Sequence, residues 1–281
     1  MTQTETSRPP RRPVLLIAAG RQRVGKTTFL NAVTQHLREH GSRAAIWNGD
    51  QMNVTNNLAT FHDDVDQPAS SDGNVVRDWL ESRIGDIVER RYDAILDVGG
   101  GETEFSRLLR EVNISEVLRA EGVRVVLASV MGPDQADVDY LASYLEHRLF
   151  SPEDVLMVLN SGLVVSGASV ATAFAGVSRH PVVASALLGG AQSVFFPALT
   201  CMAAVTDRGL QFQQALSGMV RPGTTPLSFL DRQRVAIWWR KAVPGFFAEI
   251  DPLLLPATGS EAAAFACRPD AVPAPAPYAA E

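Results

Sequence analysis

The sequence is short of cysteine, of long apolar runs and of net positive charge, and each shortage argues against a class of protein. Its 281 residues include two cysteines, Cys201 and Cys267, which show neither a pairing pattern nor a zinc-binding spacing. No apolar stretch approaches the roughly 18 residues that cross a bilayer. The run VLLIAA follows two arginines but leads into Gly-Arg-Gln-Arg, which favours a strand over a signal peptide. These features predict a cytoplasmic protein.

The chain is acidic, with a net charge of −6 and a pI of about 5.4. Because DNA and anionic lipid repel such a molecule overall, a membrane is not expected as a partner and any DNA contact must be local. Lysine occurs only at Lys26 and Lys241. A hydrophobic content of 46% can bury a sizeable core, so one α/β domain with a helical extension is the default prediction.

Short apolar runs alternate with longer amphipathic segments through much of the chain. Apolar residues at helical spacing predict helices after Gly25, over residues 75–91 and near residues 134–149. Five apolar runs predict strands, at residues 14–19, 43–48, 92–98, 123–130 and 155–160. Continuous apolarity in such runs is typical of a parallel sheet that is covered on both faces. The predicted fold class is therefore α/β, a mostly parallel twisted sheet with helices on both faces.

The two ends of the chain differ in composition from its middle. Residues 1–12 are polar and proline-containing, and residues 257–281 are rich in proline and alanine, so both are predicted to be disordered. The folded domain is expected at residues 13–256. From about Ala191 its pattern indicates helices only, which form the C-terminal extension, with a kink or break at Pro244.

The stretch GRQRVGKT, residues 20–27, has the G-x-x-x-x-G-K-T outline of a phosphate-binding loop. A strand, a turn opened by Gly20 and a helix starting near Gly25 would aim backbone N–H groups at one point, which suits a di- or triphosphate. We expect Lys26 to reach the β- and γ-phosphates, Thr27 to ligate Mg²⁺ and Thr28 to contact the α-phosphate. The alternative is a helix N-terminus that happens to contain this sequence.

The middle of this loop carries Arg21, Gln22 and Arg23 where small residues are commoner. These positions would hold phosphate through backbone N–H groups, so their side chains can point outward. The strand that ends in Asp97 is followed by three glycines, and such a carboxylate can hold the hydration shell of Mg²⁺ while Gly100 lets an amide approach the γ-phosphate. Alone, this turn would be a common loop.

Two further strand ends carry polar side chains. Asp50, in the segment Asn-Gly-Asp, could orient an attacking water or act as a general base, although an Asx-type turn is the simpler interpretation. Asn160 could read the edge of a purine through one donor and one acceptor, although a turn-forming Asn-Ser-Gly is nearly as good an explanation. The residues predicted to contact the nucleotide are Gly20, Arg23, Val24, Gly25, Lys26, Thr27, Thr28, Gly100 and Asn160.

These motifs, in this order, resemble those of the ParA/MinD superfamily of deviant Walker-A ATPases. RQRVGKTT lies over that family's KGGVGKTT, Asn48-Gly49-Asp50 over its D-x-D, ILDVGGG over its Walker B strand and VLN over its base-contacting asparagine. The resemblance covers about residues 13–190. The segments GDQMNVTNNLATF, LDVGGGETEFSRLL, DRGLQFQQAL and LDRQRVAIWW are also similar to parts of TraL- and StbB-type plasmid proteins.

The resemblance implies ATP and Mg²⁺ sandwiched in a homodimer and hydrolysed slowly, with partners reading the nucleotide state. It implies that Lys26 and Thr27 bind phosphate and metal, that Asp50 lies at the attacking water and that Asp97 approaches the metal through a water. Arg21 occupies the position of the signature lysine that crosses to the partner's nucleotide. The partners implied are a plasmid or conjugation protein and, as a further candidate, non-specific DNA.

Two other functions are consistent with the residues. A small-molecule kinase or ligase could use the same scaffold, although no extra cluster of charged residues indicates its substrate. A binding module with a vestigial nucleotide site could instead dock a partner through the C-terminal helices. There the paired aromatics Trp238, Trp239, Phe246 and Phe247 with the nearby basic residues Arg232, Arg234, Arg240 and Lys241 form either a surface for DNA, a membrane or a protein, or a core packed on the sheet.

Overall fold

A seven-stranded sheet forms the centre of the molecule, and all strand pairings of the described chain are parallel. The structure is a computed structural model and describes residues 11–50, 57–99 and 103–264. The strand order is β3-β2-β4-β1-β5-β6-β7. The strands are β1 (Val14–Ala19), β2 (Ala45–Asn48), β3 (Val65–Asp66), β4 (Ala94–Asp97), β5 (Arg124–Met131), β6 (Val155–Asn160) and β7 (Gln192–Phe196). The predicted α/β class is confirmed, with a sheet consistent with a Rossmann-like fold.

Helices connect the strands and follow the last of them. The first nine are α1 (Lys26–Glu39), α2 (Leu58–Phe61), α3 (Gly73–Arg90), α4 (Glu104–Val112), α5 (Ile114–Ala120), α6 (Gln135–Glu146), α7 (Val170–Ala173), α8 (Ala175–Ser178) and α9 (Pro181–Leu188). After β7 come α10 (Met202–Thr206), α11 (Phe212–Ser217), α12 (Phe229–Ile237), a π-helical segment (Trp238–Ala242), α13 (Val243–Ala248) and α14 (Gly259–Ala264). None of the helices in the described ranges has the length and apolarity needed to span a lipid bilayer.

The two faces of the sheet carry separate hydrophobic cores because successive side chains of a strand point to opposite faces. In β1, Leu16 and Ala18 pack against α1 and the helices that follow β7. Leu15 and Ile17 pack on the other face against α3 to α6, α8 and α9. The predicted helical extension is therefore part of the domain, since it covers one face of the sheet together with α1.

The prediction of helices only after Ala191 is wrong, because residues 192–196 form β7 at the edge of the sheet. Its sequence QSVFF buries Val194 and Phe196 on one face and leaves Ser193 and Phe195 exposed. An edge strand needs only one neighbour and one buried face, so tertiary packing decides its conformation. The short strand β3, at the opposite edge, was also missed.

The paired aromatics of the C-terminal helices are core residues. Trp238, Trp239, Phe246 and Phe247 are all buried, so the core interpretation is confirmed and these rings offer no surface to a partner. The predicted break at Pro244 coincides with a change of helix, since the π-helical segment ends at Ala242 and α13 begins at Val243. Proline has no N–H to donate to the preceding turn, which favours such a change.

The beginning and the end of the described chain meet at Asp93. Its carboxylate accepts hydrogen bonds from the N–H of Val14 at 2.7 Å and from the N–H of Ala257 at 2.6 Å. Burial raises the pKa of Asp93 despite these two donors. Arg11 also pairs with Glu261 of α14. Residues 257–264, assigned from sequence to a disordered tail, thus contact the domain; residues 265–281 and 1–10 lie outside the described ranges.

Candidate functional site

The candidate site lies at the point where the strand order reverses direction. Strand β1 is central. Strands β4 and β2 lie on one side of it and β5 and β6 on the other, so the chain crosses from one side of β1 to the other after β4. Ligands of open parallel sheets bind at the carboxyl ends of the strands, in the crevice at such a switch point. The loop after β1, residues 20–25, occupies this position and leads directly into α1.

Two glycines fix the shape of this loop. Gly20 has a φ of 151°, and a Cβ added to it would lie 2.3 Å from the carbonyl oxygen of Val130. Gly25 has a φ of 95°, and its Cβ would lie 2.6 Å from Nδ2 of Asn160. Both positions combine a left-handed backbone with a close approach by a neighbour, so a side chain is excluded at each. The loop therefore passes tightly against β5 and β6.

Lys26 is the first residue of α1, and its side chain is folded back into the loop. Its Nζ donates to the carbonyl oxygens of Gly20 and Arg21, at 3.1 Å each. Burial lowers the pKa of Lys26, while the charges of Asp97 and Asp50 act in the opposite direction. A buried ammonium group with two neutral acceptors is well placed to exchange them for an anion.

Thr27 and Asp97 form the direct link between the loop and β4. Thr27 Oγ1 donates to Asp97 Oδ2 at 2.9 Å, and Asp97 is fully buried. Its other oxygen, Oδ1, is buried with no hydrogen-bond partner within the described ranges. Burial, with a smaller effect from the charge of Asp50, raises the pKa of Asp97 to about 7, although Thr27 and Lys26 oppose the shift. An additional donor or cation at Oδ1 would relieve this cost.

Asp50 follows β2 and lies beside the backbone that leaves β4. A Cβ added to Gly99 would lie 3.4 Å from Asp50 Oδ1. The N–H of Asp50 donates to Asn48 Oδ1 at 3.2 Å, which is the Asx-type turn considered from the sequence. The turn orients the loop through Asn48 and leaves the carboxylate of Asp50 half-exposed beside the site.

Arg21 points away from the loop towards α6. Its Nη1 lies 3.5 Å from Asp137 Oδ1 and 3.9 Å from Asp134 Oδ2, and the side chain is 45% exposed. The buried carboxylate of Asp137 also accepts from the N–H of Gly132 at 2.8 Å. Sequence reasoning missed both aspartates, although their place at the start of a helix that follows a central strand was a signal. Arg23 is exposed too, as expected, with a φ of 64°.

Asn160 holds the loop in place. Its Nδ2 donates to the carbonyl oxygen of Val24 at 2.8 Å, and its Oδ1 accepts from the N–H of Gly162 at 3.0 Å. The turn interpretation therefore describes one of its contacts, and a base-reading role would have to use the second amide proton of Nδ2. Thr28 is half-buried in the first turn of α1. Gly100 lies outside the described residues.

The residues brought together suit a Mg²⁺-nucleotide chemically. Lys26 provides a buried cation, Thr27 a hydroxyl and Asp97 a carboxylate whose Oδ1 needs a partner. Within the described ranges, no group of three or more histidine, cysteine, aspartate or glutamate side chains could hold a metal ion by itself. A divalent cation here would thus depend on a hydroxyl, on water and on phosphate, as is usual for Mg²⁺.

The comparisons with known proteins add no assignment. A scan against protein-family models finds no family that matches the chain, and a search of curated proteins finds no match either.

Proposed function

We propose that the protein is an ATP-dependent dimerising switch of the ParA/MinD type, which hydrolyses ATP slowly to position or deliver plasmid DNA or a related cargo in segregation or conjugation. The observation that carries the proposal is the convergence of Lys26, Thr27 and Asp97 beneath a loop bounded by two constrained glycines. Lys26 and Thr27 belong to the loop motif and Asp97 ends a separate strand about 70 residues later, and they meet at the carboxyl edge of the sheet, where ligands of open parallel sheets bind. The motifs that resemble the superfamily support the same function.

Each side chain has a distinct task in this proposal. Bound Mg-ATP supplies a transferable γ-phosphoryl group whose charge is shared with the metal. Lys26 would exchange its two carbonyl acceptors for phosphate oxygens, and Thr27 would hold the metal through its hydroxyl oxygen. Asp97 would hold the metal through water, which would give Oδ1 a partner. Asp50, beside Gly99, orients the attacking water.

Dimerisation is the switching step of the proposal. Arg21 lies on the open side of the loop and is held by contacts of 3.5 and 3.9 Å to Asp137 and Asp134. Both contacts are long, the Arg21–Asp134 pair is exposed, and Asp137 keeps the N–H of Gly132 as a donor, so Arg21 can leave them for a phosphate of the second protomer. Binding of the γ-phosphate would then order the dimer surface, and hydrolysis would release it.

The test combines nucleotide binding, phosphate release and molar mass in solution. Wild type is expected to bind Mg-ATP, to release phosphate slowly and to form a dimer with Mg-ATP but not with Mg-ADP. Lys26→Ala should lower turnover about 100-fold or more, since it removes a charged contact to the transferred group. Lys241→Ala changes the other lysine of the chain, which is exposed, and should behave as wild type.

Asp50→Ala should keep the ATP-dependent dimer and make it last longer, because the attacking water is no longer oriented. A wild-type protein that neither binds nor hydrolyses ATP would refute the proposal. A molar mass that does not respond to nucleotide would remove its dimerisation step.

A further inference from the structure

An exposed stripe on the C-terminal helices combines apolar side chains with cations. We call Leu230, Arg234, Ile237, Arg240 and Lys241 the α12 stripe. Leu230 is 60% exposed and Ile237 is 61% exposed, and the three cationic side chains are exposed as well. Large aliphatic side chains with this exposure, side by side with charge, are a mark of interaction surfaces.

Helix geometry separates this stripe from the core. Leu230 and Ile237 are seven residues apart in α12, so they lie on one face, two turns from each other. Val235 lies on the opposite face and is fully buried. The core contacts of this helix are thus made by Val235 and by the tryptophans that follow, and the packing of the domain does not require apolar residues in the stripe.

More exposed apolar residues border the α12 stripe. Phe229, at the start of α12, is 65% exposed. Met219 and Val220 are about half exposed and follow Gly218, which lies against Arg232 of α12. Helices α11 and α12 pack against each other, so the loop between them extends the same surface. The surface thus offers several apolar side chains along two helices and the loop between them, which is the pattern that a helix in a groove uses as anchors.

The charge of this region is opposite to that of the molecule. Residues 202–243 contain six basic and two acidic side chains, a net charge of +4 in a chain whose net charge is −6. Arg234 pairs with Asp231 at 2.7 Å, whereas Arg240 and Lys241 form no ion pair within the described ranges. Arg232 Nε is buried and donates to no acceptor among the described residues. The surface therefore offers cations that a ligand can neutralise.

We propose that the α12 stripe docks an acidic amphipathic helix of a partner protein, with apolar anchors on Leu230 and Ile237 and carboxylates on Arg240 and Lys241. A second copy of the same surface would bring like charges together. Single-stranded nucleic acid stacks successive bases on several exposed aromatic rings, whereas the tryptophans here are buried and Phe229 is the one exposed ring of helices α11 to α13. An anionic membrane would repel the acidic remainder of the molecule, whereas a short helix meets only the local charge.

The test uses displayed 20-residue helices as probes and needs no nucleotide, so it is independent of the proposed ATPase. Apolar residues are fixed at helical spacing in each probe, and the remaining positions vary among Glu, Gln and Lys. Selection on wild type is expected to enrich glutamate-rich helices. The selected helix should bind Leu230→Ser/Ile237→Ser and Arg240→Glu/Lys241→Glu at least tenfold more weakly than wild type, and its affinity should fall with added salt.

Matched controls keep the test specific. Val117→Ser removes an apolar side chain on α5 that is 50% exposed, and Arg179→Glu reverses an exposed charge directly after α8. Both α5 and α8 pack on the face of the sheet opposite to α12, so both variants should bind as wild type. All variants must show wild-type circular dichroism and thermal unfolding. Enrichment of lysine-rich helices, no enrichment over the Leu230→Ser/Ile237→Ser variant, or stripe-dependent binding of anionic vesicles or duplex DNA in preference to the selected helix would overturn the proposal.

Discussion

Thr27 Oγ1 donates a 2.9 Å hydrogen bond to Asp97 Oδ2, while Asp97 Oδ1 is buried without a partner in the described part of the chain. One oxygen of the same carboxylate is thus satisfied and the other is not. Buried polar atoms without partners are costly, so a fold retains them where a ligand completes the bond. Asp97 is therefore a residue at which stability and nucleotide binding should respond in opposite directions.

Asp97→Asn is expected to stabilise the ligand-free protein and to weaken Mg-ATP binding. The amide carries no charge, so the cost of burying a carboxylate is removed. The free energy of unfolding should therefore rise by about 1–3 kcal/mol at pH 8. The gain should be smaller at pH 5, because the wild-type carboxyl, with a pKa of about 7, is protonated there in the folded state. Denaturant unfolding at the two pH values and Mg-ATP titration measure both effects. An equal or larger gain at pH 5 would contradict the assignment.

Gly20→Ala is expected to unfold the protein or to destabilise it by more than about 3 kcal/mol. Its Cβ would lie 2.3 Å from the carbonyl oxygen of Val130, which belongs to a central strand and cannot move away. The control is Gly167→Ala, because Gly167 has a φ of 88° but open space around its Cβ position. The free energy of unfolding of that variant should fall only by the cost of a left-handed alanine, about 1 kcal/mol. Similar losses in urea unfolding would mean that the loop does not pass tightly against β5.

Arg21→Ala is expected to abolish the ATP-dependent dimer while leaving the fold and ATP binding by the monomer intact. Arg21→Lys should keep a weaker dimer, because it retains the charge but loses the forked geometry of the guanidinium. Arg23→Ala, which also changes an exposed arginine of the loop, is the matched control. Light scattering with Mg-ATP measures all three, and a stable dimer of Arg21→Ala would show that dimerisation does not depend on Arg21.

His62 should make the protein acid-sensitive. It is buried, and its Nε2 donates to Asn31 Oδ1 at 3.0 Å. Its Nδ1 lies 3.3 Å from the donor Nη1 of Arg38 and therefore accepts, so the folded state requires a neutral ring. Burial, assisted by Arg38, lowers the pKa of His62 to about 4, below its value of about 6.5 in the unfolded chain. The unfolded state then binds more protons between these two values, and stability falls as the pH drops through this window.

Comparison of wild type with His62→Gln isolates this effect. Between pH 7 and pH 4.5, wild type should lose about 2–3 kcal/mol more of its free energy of unfolding than the variant. His147→Gln, at an exposed histidine, should follow wild type. Parallel pH profiles of wild type and His62→Gln in urea unfolding would rule out His62 as the source of acid sensitivity.

The sequence predicted the central strands and much of the candidate site because both depend on local signals. Continuous apolar runs marked β1, β4, β5 and β6, and the strand ends carried Asp97 and Asn160. Edge strands were missed because they are short or bury one face only, as in β3 and β7. The carboxyl ends of the parallel strands meet at one edge of the sheet, and this brings Thr27 and Asp97 into contact.

Other contacts depend on packing that local patterns do not encode. The approach of Arg21 to Asp137 is set by how α6 lies on the sheet, and the bond from Asn160 to Val24 by how closely the loop passes β6. After α12, the paired aromatics Trp238, Trp239, Phe246 and Phe247 favoured a core over a surface, which is correct. The exposure of Leu230 and Ile237 emerged only once the buried face of the helix was fixed by Val235.

The carboxylate of Asp93 has a mechanical consequence. Because it binds Val14 at the start of β1 and Ala257 near the end of the described chain, a pulling force applied to the two ends would load this carboxylate as soon as the outer Arg11–Glu261 pair separated. These two hydrogen bonds lie at the amino end of β1, and the candidate phosphate-binding loop lies at the opposite end of that strand. A tether or cargo attached at either terminus would therefore transmit its load into the base of the sheet and leave the loop at its other edge unstretched.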